Sequence, residues 1–399
     1  MSTNEHLELI RRIHDAAPRA VVAVTGGGSR AIADLLSVPG ASRTVLEAAV
    51  PYASEALVAF LGTRPEQFCD SITARRMAMT AYRRAVRLRE SATNTGKSGT
   101  SSDTAAPVWP VVGLGLTASL ASEPPKRGPH RIHLAAQTES ETRSWSLTLT
   151  KGKRTRAEEE IVASTLLLDL LAEVCGISGR PALTLRDDES VIRRTTAAPA
   201  PWIELLTGRC DRTDVRVGYQ STGAAARAIL PGSFCPLHEG HRRMASFAAA
   251  RLGVPVDFEI SIENVEKPPL DYEEMEARAA QFPGDVRVWF TRAPRMLQKA
   301  RLFPGATIVC GIDTLLRVAD VRFAGGDAAE RDRVVREIAD AGCRFLVFGR
   351  STAGGFSSID DADLPDALRH ISTGVPESEF RIDVSSTELR RATFDESCD

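Results

Sequence analysis

The sequence predicts an α/β protein of two domains, the second built on a doubly wound parallel sheet. In the second half, apolar segments at 226–230, 256–262, 286–290, 306–310 and 344–348 alternate with helix-compatible stretches, as in a parallel sheet flanked by helices. In the first half, residues 20–42 read as a buried strand, a glycine run and a helix. A chain of 399 residues is long enough for two or three domains of ~150 residues.

Composition narrows the class of protein. Hydrophobic residues make up 43% and charged residues 26% of the chain, as in ordinary globular proteins. The net charge of −2 and the lack of a basic tail argue against nucleic acid as the main partner.

No apolar stretch approaches the ~20 residues of a membrane span, and the polar N-terminus resembles neither a signal nor a transit peptide. The seven cysteines are scattered singly, which indicates reduced thiols without a zinc site. We expect a cytoplasmic protein with no metal site of its own, and a homo-oligomer is compatible with these features.

Residues 231–241 (PGSFCPLHEGH) carry the main functional signal. The apolar segment ends at a Pro-Gly pair, and a helix-compatible stretch follows the second histidine, so a helix N-terminus would point its N–H groups at an anion. His238 and His241 are three residues apart, so both imidazoles can face one phosphate and donate to developing negative charge. The alternative is a structural histidine in an HxGH string that arose by chance. The candidate backbone contacts to the anion are Gly232, Ser233, Phe234 and Gly240.

The string GSFxPxHxGH, between a strand and a helix, resembles the signature of the HIGH-type nucleotidyltransferase superfamily. That superfamily includes the adenylyltransferases for nicotinamide mononucleotide, nicotinate mononucleotide and pantetheine phosphate. The resemblance implies a Rossmann-like doubly wound sheet in which His238 and His241 contact a nucleoside triphosphate. It also implies Mg²⁺ bound with the triphosphate.

A second motif, IDVSSTELRR at 382–391, lies near the C-terminus. Ser385 and Glu388 have capping-box spacing, which predicts a helix start and a second anion site. The motif resembles the ISSTxxR motif of the same superfamily. By that resemblance, Ser385, Ser386 and Thr387 bind the outer phosphates, and Arg390 acts with the histidines in catalysis. An ordinary capped C-terminal helix is the alternative.

Three further candidates follow apolar strands of the second half. Because the carboxyl ends of parallel strands line the ligand crevice of a doubly wound sheet, Asp313 after TIVCGI is a candidate, although a plain N-cap is the alternative. Asp313 and Thr291 resemble substrate-contacting positions of the pyridine-mononucleotide enzymes. Arg350, after RFLVFG, resembles an arginine that the superfamily places near the phosphates.

The first half contains TGGGSR at 25–30, a glycine-rich turn that could form an anion nest but is not a Walker loop. Residues 5–172 resemble the CinA C-terminal family, whose members deamidate nicotinamide mononucleotide. The family's nucleophilic serine is Ala23 here, and its lysine is Leu57. Since a nucleophile needs an attacking oxygen and a proton acceptor, we expect a non-catalytic domain that can still bind a phosphate. A relocated nucleophile at Ser29 or Thr25 is the alternative.

The predicted organisation has three parts: a CinA-like domain at 1–175 with a disordered excursion at 91–107, a connection at 176–215, and a nucleotidyltransferase-like domain at 216–399. The resemblances together imply transfer of AMP from ATP to a small phosphorylated acceptor, nicotinamide or nicotinate mononucleotide, with release of pyrophosphate. The choice of acceptor rests on analogy. The alternatives are a non-catalytic sensor of pyridine nucleotides, and a nucleotidyltransferase that uses CTP or another phosphorylated acceptor.

Overall fold

The computed structural model describes residues 3–95, 110–179, 183–215, 226–264, 268–352 and 355–381. These residues form two compact α/β units, so the predicted class and the two domains are confirmed. Unit 1 comprises the described residues of Met1–Pro199 and Glu266–Glu274, and unit 2 those of Ala200–Val265 and Met275–Asp399. None of the helices in these ranges is long and apolar enough to cross a membrane.

Unit 1 is built on a six-stranded sheet with the order β2-β1-β3-β4-β5-β6, in which β2, β1 and β3 are parallel and the remaining pairs are antiparallel. Its elements are α1 (Thr3–Ala16), β1 (Arg19–Thr25), α2 (Ser29–Ser37), β2 (Val45–Ala49), α3 (Ser54–Leu61), α4 (Ser71–Thr95), β3 (Val111–Ser119), β4 (His130–Gln137), β5 (Glu141–Leu149), α5 (Arg156–Val174) and β6 (Ile192–Ala197).

Helices cover both faces of this sheet. The larger core lies on the face of α1, α2 and α5, and α3 and α4 pack on the other. Gly113 and Gly115 of β3 permit the backbone of α4 to lie against the strand, since a Cβ at either position would fall within 2.5 Å of a carbonyl oxygen of α4. The start of α5 is fixed by Thr155, whose main-chain N–H donates to the Glu158 carboxylate at 2.7 Å, as a capping box requires.

Unit 2 is built on a seven-stranded sheet with the order β15-β12-β11-β8-β9-β10-β7. All its pairs are parallel except the edge strand β7, which is antiparallel to β10. Its elements are α6 (Ala200–Thr207), β7 (Arg212–Asp214), β8 (Ala228–Pro231), α7 (Glu239–Leu252), β9 (Asp257–Ser261), α8 (Tyr272–Ala279, of which residues 272–274 are counted with unit 1), β10 (Val288–Thr291), α9 (Met296–Leu302), β11 (Thr307–Gly311), α10 (Ile312–Ala319), α11 (Ala328–Asp340), β12 (Arg344–Phe348), the hairpin β13 (Arg350–Thr352) and β14 (Gly355–Ser357), α12 (Asp366–His370) and β15 (Ser372–Val375).

Numbered along the chain, the six parallel strands of unit 2 lie in the spatial order 3-2-1-4-5-6, and the order reverses between β8 and β11. The five strands expected from apolar segments are all present, and β12 has the expected bounds. Open α/β sheets bind ligands outside the carboxyl ends of the strands, where the strand order reverses. The loop after β8 therefore occupies the position from which a ligand site would be built.

The boundaries between the units differ from those expected. The stretch 176–215, expected as a connection, contributes β6 to the sheet of unit 1, and α6 and β7 to unit 2. Residues 268–274 were expected in the second domain, but they belong to unit 1. Asp271 is buried there against Arg75, with an N–O distance of 2.7 Å, and the hydroxyl of the fully buried Tyr272 donates to the Glu139 carbonyl. Of the predicted excursion at 91–107, residues 91–95 end α4, and the remainder lies outside the described residues.

Candidate functional site

The β8–α7 loop (Gly232–His238) leaves the sheet beside the reversal of strand order. Gly232 continues the ladder, since its N–H donates to the Glu259 carbonyl at 2.9 Å. A Cβ on Gly232 would lie 2.6 Å from the ring of Phe234, so only glycine lets the chain turn this tightly over that ring. His238 has extended backbone angles and precedes the first turn of α7. The predicted strand–loop–helix arrangement is therefore present.

Phe234 is the strained residue of this loop. Its φ of 44° lies in the left-handed region that bulky residues rarely adopt, at a cost of about 1–3 kcal/mol. The ring is buried and meets Phe258 and Phe282 edge-on, with centroids 5.2 and 5.5 Å apart. It also meets His241 at 4.9 Å. The predicted contribution of Phe234 to a nucleotide site is thus restricted to its main chain, and its side chain fixes the loop to the sheet.

The two histidines lie together at the start of α7. Their rings stack with centroids 3.7 Å apart, and the His238 main-chain N–H points at His241 Nδ1 at the long distance of 3.4 Å. Burial lowers the pKa of His238, and burial together with the neighbouring His238 lowers the pKa of His241 to about 4. Both rings are therefore neutral near pH 7. With Nδ1 of His241 facing an N–H, its proton is assigned to Nε2, which can donate to a bound anion.

Asp313 and Arg350, predicted separately, form an ion pair. Asp313 lies in the first turn of α10, directly after β11, and Arg350 opens β13, directly after β12. Arg350 Nη1 lies 2.5 Å from Asp313 Oδ2, and the two side chains are about half exposed. Because β8, β11 and β12 are parallel neighbours, this pair lies along the same edge of the sheet as the β8–α7 loop. The N-cap of α10 is Gly311, with no side-chain cap, so Asp313 is not the plain N-cap of the alternative; its carboxylate pairs with Arg350.

Thr291 ends β10 ahead of α9, at the predicted place, but its side chain points into the core. It is fully buried at the end of β10, and its hydroxyl donates to Glu259 Oε1 at 2.5 Å. The same carboxylate accepts from Lys299 Nζ at 2.6 and 2.7 Å. In the described structure Thr291 therefore supports a buried Lys–Glu pair between β9 and α9, and a substrate contact by its side chain stays a prediction.

The second predicted anion site lies outside the described residues. This applies to Ser385, Ser386, Thr387 and Arg390. Conversely, the described structure adds residues to which the sequence patterns assigned no role. Arg278 and Gln281, which follow β8 by more than 45 residues, hydrogen-bond to the main chain of the β8–α7 loop. Only the fold brings them to the loop, so no spacing rule could have found them.

In unit 1, the β1–α2 turn (Gly26–Gly28) has the geometry expected of an anion nest, but a carboxylate of this chain fills it. Glu160 of α5 accepts from the main-chain N–H groups of Gly28 and Arg30 at 3.0 and 3.1 Å. It also accepts from the Ser29 hydroxyl at 3.2 Å. Negative charge at a helix N-terminus is favourable. The Glu160 carboxylate therefore accepts the hydrogen bonds that a bound phosphate would otherwise accept. The expected phosphate binding by this turn therefore has an internal competitor.

The two positions where the CinA resemblance expects a serine and a lysine lie together in unit 1. Ala23 on β1 and Leu57 on α3 share one small apolar cluster with Leu61 and Met77, and all four are buried. The fold thus brings into one cluster two positions that are 34 residues apart in sequence. A cluster of methyl and thioether groups supplies no proton acceptor, so hydrolysis has no support at this place in the fold.

No protein-family model matches this chain, and no curated protein sequence does. Among solved structures it is similar to the competence/damage inducible protein CihA from Agrobacterium tumefaciens, at 18% identity over 43% of this chain and 95% of that chain, with a TM-score of 0.30. It is also similar to a CinA superfamily protein from Escherichia coli, at 12% identity over 44% of this chain and 88% of that chain, with a TM-score of 0.28. The matched part is the N-terminal portion, where the CinA resemblance was expected. A likeness at this identity and TM-score carries no argument about activity.

Proposed function

We propose that this chain is a nucleotidyltransferase that transfers AMP from ATP to the phosphate of nicotinamide or nicotinate mononucleotide and releases pyrophosphate. One observation carries the proposal: two neutral histidines stack at the start of α7, directly after the strand at which the strand order reverses. A helix N-terminus with imidazole donors suits a polyphosphate.

The sheet of unit 2 supports the same class of enzyme. Its parallel strands have the 3-2-1-4-5-6 order of Rossmann-like doubly wound sheets. The β8–α7 loop, the Asp313–Arg350 pair and the end of β10 all lie at carboxyl ends of its strands. This distribution supports the proposal that the nucleotide and the acceptor bind along the carboxyl-end edge of the sheet, with the GSFxPxHxGH string at the centre of that edge.

In the proposed reaction, an oxygen of the acceptor phosphate forms a bond to the α-phosphorus of ATP, and the bond from that phosphorus to the bridging oxygen of pyrophosphate breaks. The residues act by orienting the groups and stabilising charge. His241 donates from Nε2 to a phosphate oxygen, and His238 lies beside it. Arg350, released from Asp313, adds a forked cation near the phosphates. Arg390 is expected at the outer phosphates.

Mg²⁺ belongs to this proposal as the partner of the triphosphate. Among the described residues, no group of three or more His, Cys, Asp or Glu side chains has the arrangement of a metal site. Mg²⁺ in nucleotide enzymes is commonly held by phosphates, water and one or two carboxylates, and it neutralises charge on the oxygens that it binds. Asp313, at the carboxyl end of β11, is one carboxylate of this edge of the sheet that could contact Mg²⁺ bound with the triphosphate.

The proposal is tested by a pyrophosphate-release assay with four nucleoside triphosphates and a panel of phosphorylated acceptors. The panel includes both pyridine mononucleotides, pantetheine phosphate and glycerol phosphate. We expect release only when ATP and a pyridine mononucleotide are both present. Release with CTP or another acceptor would retain the reaction class and correct the substrates. No release with any pair, together with tight pyridine-nucleotide binding in calorimetry, would establish a sensor instead.

Unit 1 is assigned no amidase activity in this proposal, because Ala23 and Leu57 replace the nucleophile and the lysine. Incubation of the intact protein with nicotinamide mononucleotide should release no ammonia above the buffer control. Ammonia release that disappears in Ser29→Ala or Thr25→Val would show that the nucleophile has moved to the β1–α2 turn.

A further inference from the structure

We propose that Gln281 is a positioning residue for the nucleotidyl transfer, acting through the main chain of the β8–α7 loop, and that Arg278 assists it. This inference rests on the proposed function, since it concerns the placement of His241 and the loop around a triphosphate. Both residues lie in unit 2, at the end of α8 and in the turn that follows it.

The side-chain amide of Gln281 binds the loop with both of its ends. Its Nε2 donates to the Phe234 carbonyl at 3.0 Å, and its Oε1 accepts from the Leu237 N–H at 2.7 Å. These two main-chain groups lie on either side of the Cys235-Pro236 pair. A primary amide carries its donor and its acceptor on separate atoms, so one residue binds the two ends of a four-residue segment.

Neighbouring contacts hold the same segment. Arg278 Nη1 donates to the Ser233 carbonyl at 2.9 Å. Phe282, next to Gln281, meets the ring of Phe234 edge-on at 5.5 Å and Phe258 at 5.0 Å. Residues 278–282 therefore contact the β8–α7 loop in two ways, through hydrogen bonds to the main chain of the loop and through the ring of Phe234.

The loop requires such support because Phe234 has a left-handed backbone conformation. Strained conformations persist only where their surroundings determine them from several sides. The ring of Phe234 contacts His241, and the His238 main chain follows Leu237 directly. If the loop relaxes, the imidazole donors move with it, and a misplacement of 1 Å in a catalytic group can cost about 10²-fold in rate.

The test compares Gln281→Met with Gln298→Met. Methionine keeps the length of glutamine and removes both hydrogen bonds. Gln298 is the matched control, since its Oε1 also accepts from a main-chain N–H, that of Arg295 at 2.9 Å, at the start of α9. We expect faster hydrogen exchange at the Leu237 amide, a kcat lower by about 10- to 100-fold, and a smaller change in the KM for ATP. Gln298→Met should change none of these. Gln281→Glu, which keeps the acceptor for Leu237 and loses the donor to Phe234, should fall between wild type and Gln281→Met in kcat.

Each outcome has one meaning. Faster exchange at Leu237 with wild-type kcat would show that the contact is structural and would overturn the inference. Unchanged exchange, or an equal loss of kcat in Gln298→Met, would overturn it as well. In all three cases the wild-type protein still releases pyrophosphate, so the proposed function stands. A wild-type protein that releases no pyrophosphate with any substrate pair contradicts the proposed function, and this inference with it.

Discussion

The β1–α2 turn of unit 1 and the β8–α7 loop of unit 2 are two versions of one local arrangement. Each follows a parallel strand inside its sheet and leads into a helix N-terminus. In unit 1, the carboxylate of Glu160 accepts from the N–H groups of that terminus. In unit 2, two imidazoles with lowered pKa values occupy the first turn. The N-terminus of α2 is thus occupied by a carboxylate of this protein, whereas the N-terminus of α7 carries neutral imidazole donors.

This difference shows why a glycine-rich turn before a helix is weak evidence of a ligand site. The N–H groups and the dipole favour an anion in both places. What decides between a structural and a binding role is the residue that reaches the terminus from elsewhere in the fold. Glu160 is 132 residues from Gly28 in sequence, and no local motif announces it.

The largest expected effect concerns the donors of unit 2. His241→Ala should lower kcat for pyrophosphate release by ~10²-fold or more, because one preorganised donor to a charged oxygen contributes ~3 kcal/mol. Steady-state kinetics with a folded variant measures this. His370→Ala, an exposed histidine of the same unit, is the control and should leave kcat unchanged. Equal kcat in both variants would remove the histidines from the site and make the two helix termini equivalent.

A smaller kinetic effect is expected from the C-terminal motif. Arg390→Ala should raise the KM for ATP by about tenfold, as expected for loss of roughly 1.4 kcal/mol of phosphate binding. The KM for the acceptor should move little. Arg390→Lys should rescue in part, since it keeps the charge and loses the forked geometry.

Arg391→Ala is the matched control for this motif, because adjacent residues face different sides of the predicted helix. A change confined to the acceptor KM would reverse the assignment of the two substrates. Unchanged kinetics in both variants would leave the motif a structural helix start.

The strands β8 to β12 of unit 2 and β1 of unit 1 could be predicted, because strands covered on both faces read as continuous apolar runs. This held for the expected segment 344–348, which is β12 with the same bounds. It failed for β7 and β15, whose sequences RTD and STGV carry no apolar run. Their place in the sheet is determined by pairing with neighbouring strands, and a local sequence pattern carries no information about that pairing.

The candidate site could be predicted only in part, for a similar reason. The motif gave the loop and its histidines, since strand, turn and helix start are local. Sequence reasoning could not show the hydrogen bond from the Thr291 hydroxyl to Glu259, because only the fold brings the two side chains together. Gln281 was missed because its partners lie 44 and 47 residues away.

The next prediction concerns the carboxylate of unit 1. Glu160→Ala should lower the free energy of unfolding by about 1–2 kcal/mol, the usual cost of losing a helix cap, measured by chemical denaturation. Glu66→Ala, at an exposed position of the same unit, should stay within about 0.5 kcal/mol of wild type. Inorganic phosphate at constant ionic strength should restore part of the loss in Glu160→Ala and have no such effect on wild type. If phosphate does not stabilise Glu160→Ala, the β1–α2 turn does not bind an anion even after the competing carboxylate has been removed.

The smallest expected effect is the pH dependence of stability that comes from His241. Its pKa is about 4 in the folded protein and about 6.5 in an unfolded chain. Between these values the unfolded state binds the proton more readily, so stability falls as pH decreases from 6.5 towards 4. His241→Gln, which cannot titrate, should therefore lose less stability between pH 7 and pH 5 than wild type, as measured by denaturant unfolding at both values. Equal losses in wild type and His241→Gln would mean that His241 is not buried as a neutral ring, and the contrast between a charged and a neutral helix terminus would then disappear.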